Sequence, residues 1–389
     1  MRRLLIFLLA YITIGFAAQA GEVTEAQALE KAREFMQGKR FKQQNLRRAP
    51  QQEANDFYVF NVEHNEGFVI VSGDDNTIPI LGYSDKGNLD MGCLPENTRW
   101  WLEGYQKQLE AIKSNNLSAV VRRAGEHEAI APLIKTHWSQ ESPYNLHCPM
   151  NGDNRSVTGC VATMLAQLLY YYKSPMTSSD IAGYKTTTKE IIVEDLPSTT
   201  FQWDKMKLEY ESNETGESAE AVAELMRYCG QAMMMDYGFT ASSAVIDVMH
   251  LLNFTSFSPN MRKISIKDYT YQQWEDILYN ELAHQRPVIY EGMLGDPGDG
   301  HAFICNGYDG NGMFFINWGW GGNSDGYYVL NIADPQKYGN LFAFNQQAVI
   351  RFAPNSEDEV MEPVVSVTNF TCGLSSKMRG SLDVDFDDI

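Results

Sequence analysis

Residues 158–167, TGCVATMLAQ, place one cysteine between a small-residue loop and an apolar run. The run continues to Tyr172 without a glycine and stops near Pro175, which predicts a buried helix over residues 161–172. Cys160 then lies in the first helical turn, where unpaired backbone N–H groups and the helix dipole favour a thiolate and lower the pKa from its usual value of about 8.5. A free cysteine is also among the most often buried residues, so this stretch alone leaves a packing role open.

The composition describes a long and acidic chain. Its 389 residues suffice for two or three domains and a large core. The chain has 31 Lys and Arg residues and 50 Asp and Glu residues, which gives a formal net charge of -19. This balance argues against a nucleic acid or an anionic membrane surface as a partner.

The first 20 residues have the pattern of a secretory signal peptide. Arg2 and Arg3 precede an apolar stretch over residues 4–12, and Ala-Gln-Ala at 18–20 supplies a small-x-small cleavage site. No cysteine stands directly after the predicted cut, so a lipoprotein anchor is not expected, and no later apolar run has membrane-spanning length. We therefore expect a secreted, soluble protein that is extracellular, or periplasmic in transit.

The cysteines and histidines do not predict a metal or a cofactor. The six cysteines are irregularly spaced and form no C-x-x-C pair, so a disulfide framework is not expected, although a single bridge stays open. The seven histidines include no H-E-x-x-H motif and no Cys/His grouping at zinc spacing. The cysteines are Cys93, Cys148, Cys160, Cys229, Cys305 and Cys372.

Residues 21–130 form a small α+β unit, called the leader below. Residues 114–131 are polar or charged for the most part and predict an exposed, cleavable linker at its end. The predicted elements are a helix over 24–38, strand-like runs over 57–62, 67–72 and 78–83, and an amphipathic helix capped by Asn97.

Residues 131–352 form a second and larger unit. Helical patterns dominate it up to about Leu252, and strand-like runs dominate the remainder, which suggests two subdomains with a cleft between them. Residues 353–389 are an acidic tail or the start of a C-terminal module. The predicted elements are helices over 161–172 and 219–233 and strands over 287–290, 301–305, 312–317, 326–330 and 348–350.

A thiolate nucleophile needs a general base, a residue that orients the base and a donor for the oxyanion, and three residues could supply these. His301 follows a glycine-rich turn at the start of an apolar strand, which suits a general base facing a cleft. Asn317, ahead of two indole rings, could hold the other imidazole nitrogen. Gln140 could donate a side-chain N–H to an oxyanion hole completed by the backbone N–H of Cys160. Each also has a plain alternative: a turn histidine, an aromatic turn that packs on the core, and a surface glutamine.

The motifs GCVAT at 159–163, GHAF at 300–303 and NWGWGGNSDG at 317–326 occur in that order. Together they resemble the streptopain family of papain-like cysteine peptidases, in particular the interpain-type enzymes of the Bacteroidetes. The resemblance covers roughly residues 24–352. It also includes WSQ at 138–140, MDYG at 235–238, RPVIY at 286–290 and, in the leader, GFVIVSGDD at 67–75.

This resemblance implies an α+β fold in which a helical wall and an antiparallel β wall enclose a cleft, preceded by an inhibitory propeptide. It implies Cys160 as nucleophile, His301 as general base and then acid, and Gln140 in the oxyanion hole. In the family the residue beside the histidine corresponds to Trp318, so Asn317 and Trp318 both remain candidates. The partners expected are protein and peptide substrates, with the chain's own propeptide as an intramolecular inhibitor.

The resemblance also points to residues that border the substrate. Segment 236–244 flanks the cleft in the family, and Ser242, Ser243, Gly300 and Trp320 are the candidates for substrate binding. The loop at 337–345 is shorter and more aromatic than the glycine-rich loop of the family's type member, so substrate preference does not carry over.

The function predicted is a secreted cysteine endopeptidase made as a zymogen and cut between Leu117 and Ala131. One alternative is a secreted inhibitory or binding protein whose 131–352 unit is a catalytically dead scaffold. Another keeps the thiol chemistry but makes the enzyme an amidase or a transpeptidase. A peptide-library digest separates that last alternative from an endopeptidase.

Overall fold

A computed structural model describes seven parts of the chain. The predicted signal peptide, Cys372, the strand-like run at 364–367, the rest of the tail beyond residue 355 and most of the 337–345 loop lie outside the described residues. The described parts are residues 21–39, 45–50, 56–115, 119–120, 125–294, 300–333 and 344–355.

In its described residues the leader has two α-helices and four strands, close to the pattern its sequence predicts. Helix α1 buries Ala28, Ala32 and Met36, whose four-residue spacing places them on one face. The leader elements are α1 (Glu25–Lys39), β1 (Leu46–Arg48), β2 (Phe57–Val62), β3 (Phe68–Ser72), β4 (Ile80–Ser84) and α2 (Glu96–Asn115).

The second unit contains the predicted helices and strands and further elements that the sequence did not reveal. The helix over Tyr271–Ala283 interrupts the region predicted to be strand-rich, and a capping box between Thr270 and Gln273 is its overlooked signal. The helices are α3 (Cys160–Tyr172), α4 (Glu217–Ala232), α5 (Val248–Thr255) and α6 (Tyr271–Ala283). The strands are β5 (Met150–Asn151), β6 (Asn154–Arg155), β7 (Tyr184–Lys185), β8 (Ile192–Val193), β9 (Arg262–Ser265), β10 (Val288–Leu294), β11 (Gly300–Tyr308), β12 (Phe314–Asn317), β13 (Gly326–Tyr328) and β14 (Phe344–Ile350).

One antiparallel sheet runs through both units. Its strand order is β1-β2-β3-β4-β13-β12-β11-β10-β14-β9. The junction is the pairing of β4 with β13, where Tyr83 faces Tyr327 and Gly82 faces Tyr328. The leader therefore continues the β wall of the second unit by backbone hydrogen bonds as well as by side-chain packing.

The two faces of this sheet bury two different cores. Along β11, Phe303 and Cys305 lie in a core shared with the leader, whereas Ala302 and Ile304 lie in a core shared with α3, α4 and α5. This alternation is the two-residue period of a strand that is buried on both faces. The leader and the helical wall consequently pack on opposite faces of the β wall.

Polar contacts hold the leader against the turn that follows β11. The Lys39 ammonium lies 2.9 Å from the carboxylate of Asp309 in the turn after β11, and the Tyr83 hydroxyl donates to the same carboxylate at 3.3 Å. The end of the linker also docks, because Ile130 and Tyr308 exchange two backbone hydrogen bonds of 2.8 Å. The predicted cleavage region therefore contains at least two residues that are held to the peptidase unit, since the N–H of Val120 also donates to the carbonyl oxygen of Ile332 at 2.9 Å.

All five cysteines of the described residues are free thiols. Within the same residues, no helix combines the length and the apolar character needed to cross a membrane.

Candidate active site

Cys160 is the first residue of α3, as the sequence predicts. The preceding Gly159 has a φ of 84°, and a Cβ there would lie 2.7 Å from the carbonyl oxygen of Ser242. Only glycine combines this left-handed backbone with such a close approach. The glycine thus fixes the direction from which the chain enters the helix, and with it the position of the thiol.

A cleft of about 890 Å³ gathers most of the predicted site residues. Cys160 and Gln140 line it from the helical wall, and His301 lines it from the start of β11. All four substrate-binding candidates also line it, namely Ser242, Ser243, Gly300 and Trp320. The leader contributes Glu96, Arg99, Trp100, Glu103 and Lys107. Among the described residues, no group of three or more His, Cys, Asp or Glu side chains could hold a metal ion.

The Cys160 thiol does not have the lowered pKa that its helix position predicts. Burial raises its pKa, and the backbone N–H groups of Ala302 and Val161 and its own N–H only partly offset this effect. The sequence-based prediction is therefore wrong for the form in which the leader is in place. The effect of burial on the pKa exceeds that of the N–H groups at the helix start, and the charge of Glu96 in the leader raises the pKa further. The local sequence reveals neither effect.

His301 lies opposite Gly292 in the β10–β11 ladder, beside an indole of the leader. Its ring packs edge-on against Trp100, with 5.8 Å between the ring centroids. Trp100 also covers Gly292, where an added Cβ would come within 2.2 Å of the indole. The leader helix α2 therefore inserts an aromatic ring directly beside the predicted general base.

Gln140 is buried beside Cys160 through a short backbone connection. Its carbonyl oxygen accepts a hydrogen bond of 3.1 Å from the N–H of Thr158, two residues before the thiol. This bond ties the segment carrying Gln140 to the loop that leads into α3. Both predicted oxyanion donors thus stand on the same local scaffold.

Asn317 ends β12 and is bound to the helical wall. Its side-chain NH2 donates to the carbonyl oxygen of Thr136 at 3.0 Å and to the amide oxygen of Gln167 at 3.2 Å. Its own amide oxygen accepts from Gln167 at 3.1 Å and from the N–H of Gly319 at 3.0 Å. These bonds join β12 to α3, and Asn317 is not among the residues that line the cleft.

Trp318 is fully buried and meets the leader directly. The side-chain NH2 of Asn97 donates to the Trp318 carbonyl oxygen at 2.7 Å, and the Trp101 ring packs on the Trp318 ring with centroids 5.7 Å apart. The predicted capping role of Asn97 is wrong, since α2 begins at Glu96 and places Asn97 inside its first turn. Its amide reaches across the interface instead.

Ser242 uses its hydroxyl inside the protein. The hydroxyl donates to the carbonyl oxygen of Val157 at 2.7 Å and accepts from the N–H of Gly238 at 3.0 Å. These bonds pin the 236–244 segment to the residues just before Cys160. Any contact of Ser242 with a substrate would therefore involve its backbone more readily than its side chain.

Sequence reasoning missed two charged residues in the cleft. Lys263 on β9 and Glu291 on β10 form an ion pair there, and burial raises the pKa of the Glu291 carboxyl while Lys263 opposes the shift. Glu291 directly follows the strand predicted over 287–290, and all four residues of that strand are buried. A charged residue at the end of a fully buried run was the available signal.

Comparison with known proteins identifies relatives of both units. Residues 138–328 match the peptidase C10 family, and residues 20–109 match the Spi protease inhibitor. Streptopain from Streptococcus pyogenes is 32% identical over 333 residues, covering 77% of this chain and 81% of streptopain. The chain belongs to the peptidase C10 family. This membership confirms the predicted streptopain-like family and the assignment as a cysteine endopeptidase.

Other C10 relatives extend the likeness to the leader. The thiol protease/hemagglutinin PrtT of Porphyromonas gingivalis is 29% identical over 400 residues, which cover 92% of this chain. The chain spans 45% of the length of PrtT. A prointerpain A fragment from Prevotella intermedia matches with a TM-score of 0.70 and 29% identity, over 80% of this chain and 100% of that fragment.

Active wild-type interpain A from Prevotella intermedia matches with a TM-score of 0.50 and 32% identity. That match covers 59% of this chain and 98% of interpain A. The precursor thus corresponds to leader and peptidase unit together, whereas the active form corresponds to a smaller part. The expected C10 fold, with a propeptide ahead of a helical wall and an antiparallel β wall, is confirmed.

Proposed function

We propose that this chain is the latent precursor of a secreted cysteine endopeptidase, with Cys160 as nucleophile and His301 as general base and acid. The observation that carries the proposal is the single cleft shared by Cys160, Gln140 and His301. Signal-peptide removal after residue 20 and a cut between Leu117 and Ala131 would give the mature form. The division into leader 21–130, peptidase 131–352 and tail 353–389 is part of this proposal.

In the proposed reaction His301 takes the proton of the Cys160 thiol, and the thiolate attacks the scissile carbonyl carbon and forms a tetrahedral intermediate. The side-chain N–H of Gln140 and the backbone N–H of Cys160 bind the oxyanion. His301 donates its proton to the leaving amine, which leaves an acyl-thioester on Cys160. His301 then takes a proton from water, and the resulting attack releases the acid and restores the thiol.

We assign the orientation of His301 to Trp318 and a scaffold role to Asn317. The Asn317 amide donates and accepts within the Thr136 and Gln167 network, so it already has partners. The Trp318 carbonyl, by contrast, accepts from Asn97 of the leader and loses that partner when the leader departs. Removal of the leader would therefore free the Trp318 carbonyl and leave the hydrogen bonds of the Asn317 amide unchanged.

Latency follows from the same contacts. Trp100 packs on the His301 ring, Asn97 occupies the Trp318 carbonyl, and burial raises the pKa of the Cys160 thiol. The first contact opposes the correct position of the His301 ring, the second opposes its orientation by Trp318, and the burial of Cys160 opposes formation of the thiolate. Protein and peptide substrates would enter the cleft once these three obstacles leave together.

The proposed function is tested by labelling the matured protein with an active-site thiol reagent such as E-64 and mapping the modified residue by mass spectrometry. We expect stoichiometric labelling of Cys160 together with loss of casein hydrolysis. A peptide library should show internal cleavage, as expected of an endopeptidase. Absence of labelling after processing would favour the inhibitory or binding protein, and ligated or deamidated products would favour a transpeptidase or an amidase.

The pH dependence of thiol alkylation should change when the precursor matures. A raised pKa means that the Cys160 thiolate forms only at higher pH in the precursor, so iodoacetamide should react appreciably only in alkaline buffer. Solvent and a freed His301 should bring the midpoint of the matured protein below about 8.5, the usual value for cysteine. The measurement is the alkylation rate of Cys160 against pH for both forms, and equal midpoints would contradict the expected effect of the leader.

A further inference from the structure

A second imidazole and carboxylate lie behind the site, outside the cleft. The Nδ1 atom of His137 is 3.6 Å from the Oδ2 atom of Asp325, an ion-pair distance too long for a hydrogen bond. Asp325 is buried, whereas His137 is about a third exposed. Neither residue has a part in the chemistry proposed above.

Asp325 is joined directly to the loop that carries Trp318. Its Oδ1 atom accepts a hydrogen bond of 2.9 Å from the backbone N–H of Trp318. The neighbouring Ser324 carbonyl accepts from the Trp318 indole at 3.0 Å and from the Tyr328 hydroxyl at 2.6 Å. The position of Trp318 therefore depends on a turn whose one buried carboxylate needs a positive partner.

His137 belongs to the segment that carries Gln140, three positions before it. Gly322, in the turn after Trp318, lies close to the His137 ring. A Cβ at Gly322, where φ is +80°, would lie 2.9 Å from the Nδ1 atom of His137. The next residue continues the contact, as the Trp138 carbonyl accepts from the N–H of Gly321 at 3.0 Å. The imidazole is thus one of the points where the segment carrying Gln140 touches the turn after Trp318.

We propose that His137 and Asp325 are a positioning pair that holds the turn of residues 318–325 against the segment of residues 137–140. The pair supports catalysis only while both side chains are charged. This inference rests on the proposed function, since it assigns Trp318 and Gln140 their roles. The pair does not line the cleft, so it acts on the rate of the chemical step and not on substrate binding.

The charges around the pair set the direction of its pH dependence. Asp325 raises the pKa of His137, burial and Lys86 of the leader lower it, and Glu209 raises it. Burial raises the pKa of Asp325, whereas His137 and the Trp318 N–H lower it. The pair is therefore intact below the raised pKa of His137 and is lost as the pH rises through it, and it is also lost in acid when Asp325 takes up a proton.

The test is the pH profile of kcat and KM for the matured wild type and for His137→Asn, with the full chains matured by a trace of wild-type enzyme. We expect kcat of the variant to be about tenfold lower at mildly acidic pH, less than the roughly hundredfold cost of a 1 Å displacement. The difference should shrink as the pH rises, because wild-type His137 then loses its charge as well. KM should stay within about twofold.

The matched control is His147→Asn, which removes another imidazole paired with a carboxylate, at 2.8 Å from Glu220 on the surface of the helical wall. Its profile should overlay that of the wild type. Asp325→Asn keeps an acceptor for the Trp318 N–H but removes the charge, so it should reproduce the His137→Asn profile, and the double variant should lose little more. A purely structural role would lower the melting temperature without changing the shape of the profile.

A constant ratio of kcat between wild type and His137→Asn at every pH would overturn the proposal, and so would an unaltered kcat. If both variants fail to fold, NMR titration of the histidine rings in the Cys160→Ala chain decides the matter. His137 must then titrate above the usual value of about 6.5, and an ordinary midpoint overturns the pair. Failure of wild-type Cys160 to react with the thiol reagent would count against the proposed function instead, so the two failures are distinguishable.

Discussion

Replacement of Cys160 by alanine should abolish peptide-bond hydrolysis and leave an uncleaved precursor. Alanine keeps the backbone and the Cβ atom at the start of α3, so the fold should persist while the nucleophile is lost. Loss of the nucleophile of a catalytic triad typically lowers kcat by roughly 10⁴-fold or more. Casein hydrolysis, gel analysis of the purified chain and N-terminal sequencing of any product measure the result.

The matched control is Cys305→Ala, which makes the same change in a thiol buried in β11 on the face shared with the leader. Burial raises the pKa of Cys305, and the residue does not line the cleft. That variant should mature and hydrolyse casein, with a modest loss of thermal stability at most. Purified Cys160→Ala that still cuts itself between residues 117 and 131 would exclude self-activation by this thiol.

The parts of the fold that the sequence predicted are those set by local periodicity. Ala28, Ala32 and Met36 repeat every four residues, and the strand-like runs that became β2 and β3 lie on either side of a short turn. The pairing of β4 with β13 has no such signal, because the partner of an edge strand depends on which surfaces the whole chain brings together.

The same distinction applies to the site. Cys160 and His301 could be proposed from sequence because one stands at a helix start and the other at a strand start, whereas Gln140 lies in a loop and was proposed only because of the motifs around it. The raised pKa of Cys160 and the contact of Asn97 with Trp318 could not be predicted, since both depend on residues that are distant in the sequence. Residue type and position were enough to propose the site, whereas the ionisation state of the thiol depends on long-range burial.

Replacement of Trp101 by alanine should increase the fraction of precursor molecules in which the leader has left the cleft open. Its indole is completely buried among rings of the peptidase unit, with centroids 5.6 Å from Phe303, 5.7 Å from Trp318 and 6.5 Å from Tyr290. Removal of a buried Trp side chain costs about 3–5 kcal/mol, and aromatic anchors of this kind dominate interface energies. A loss of about 3 kcal/mol would raise the open fraction of the precursor roughly a hundredfold.

The open fraction can be read as the rate at which a thiol reagent modifies Cys160 in the intact chain, in a His301→Ala background so that no molecule matures. Trp203→Ala is the matched control, because Trp203 is also buried but packs on Phe201 inside the helical wall. Trp101→Ala should label about a hundred times faster, and Trp203→Ala should label at the parent rate below its melting temperature. Equal acceleration in both variants would mean general loosening of the fold, and no acceleration in Trp101→Ala would show that other leader contacts keep the cleft closed.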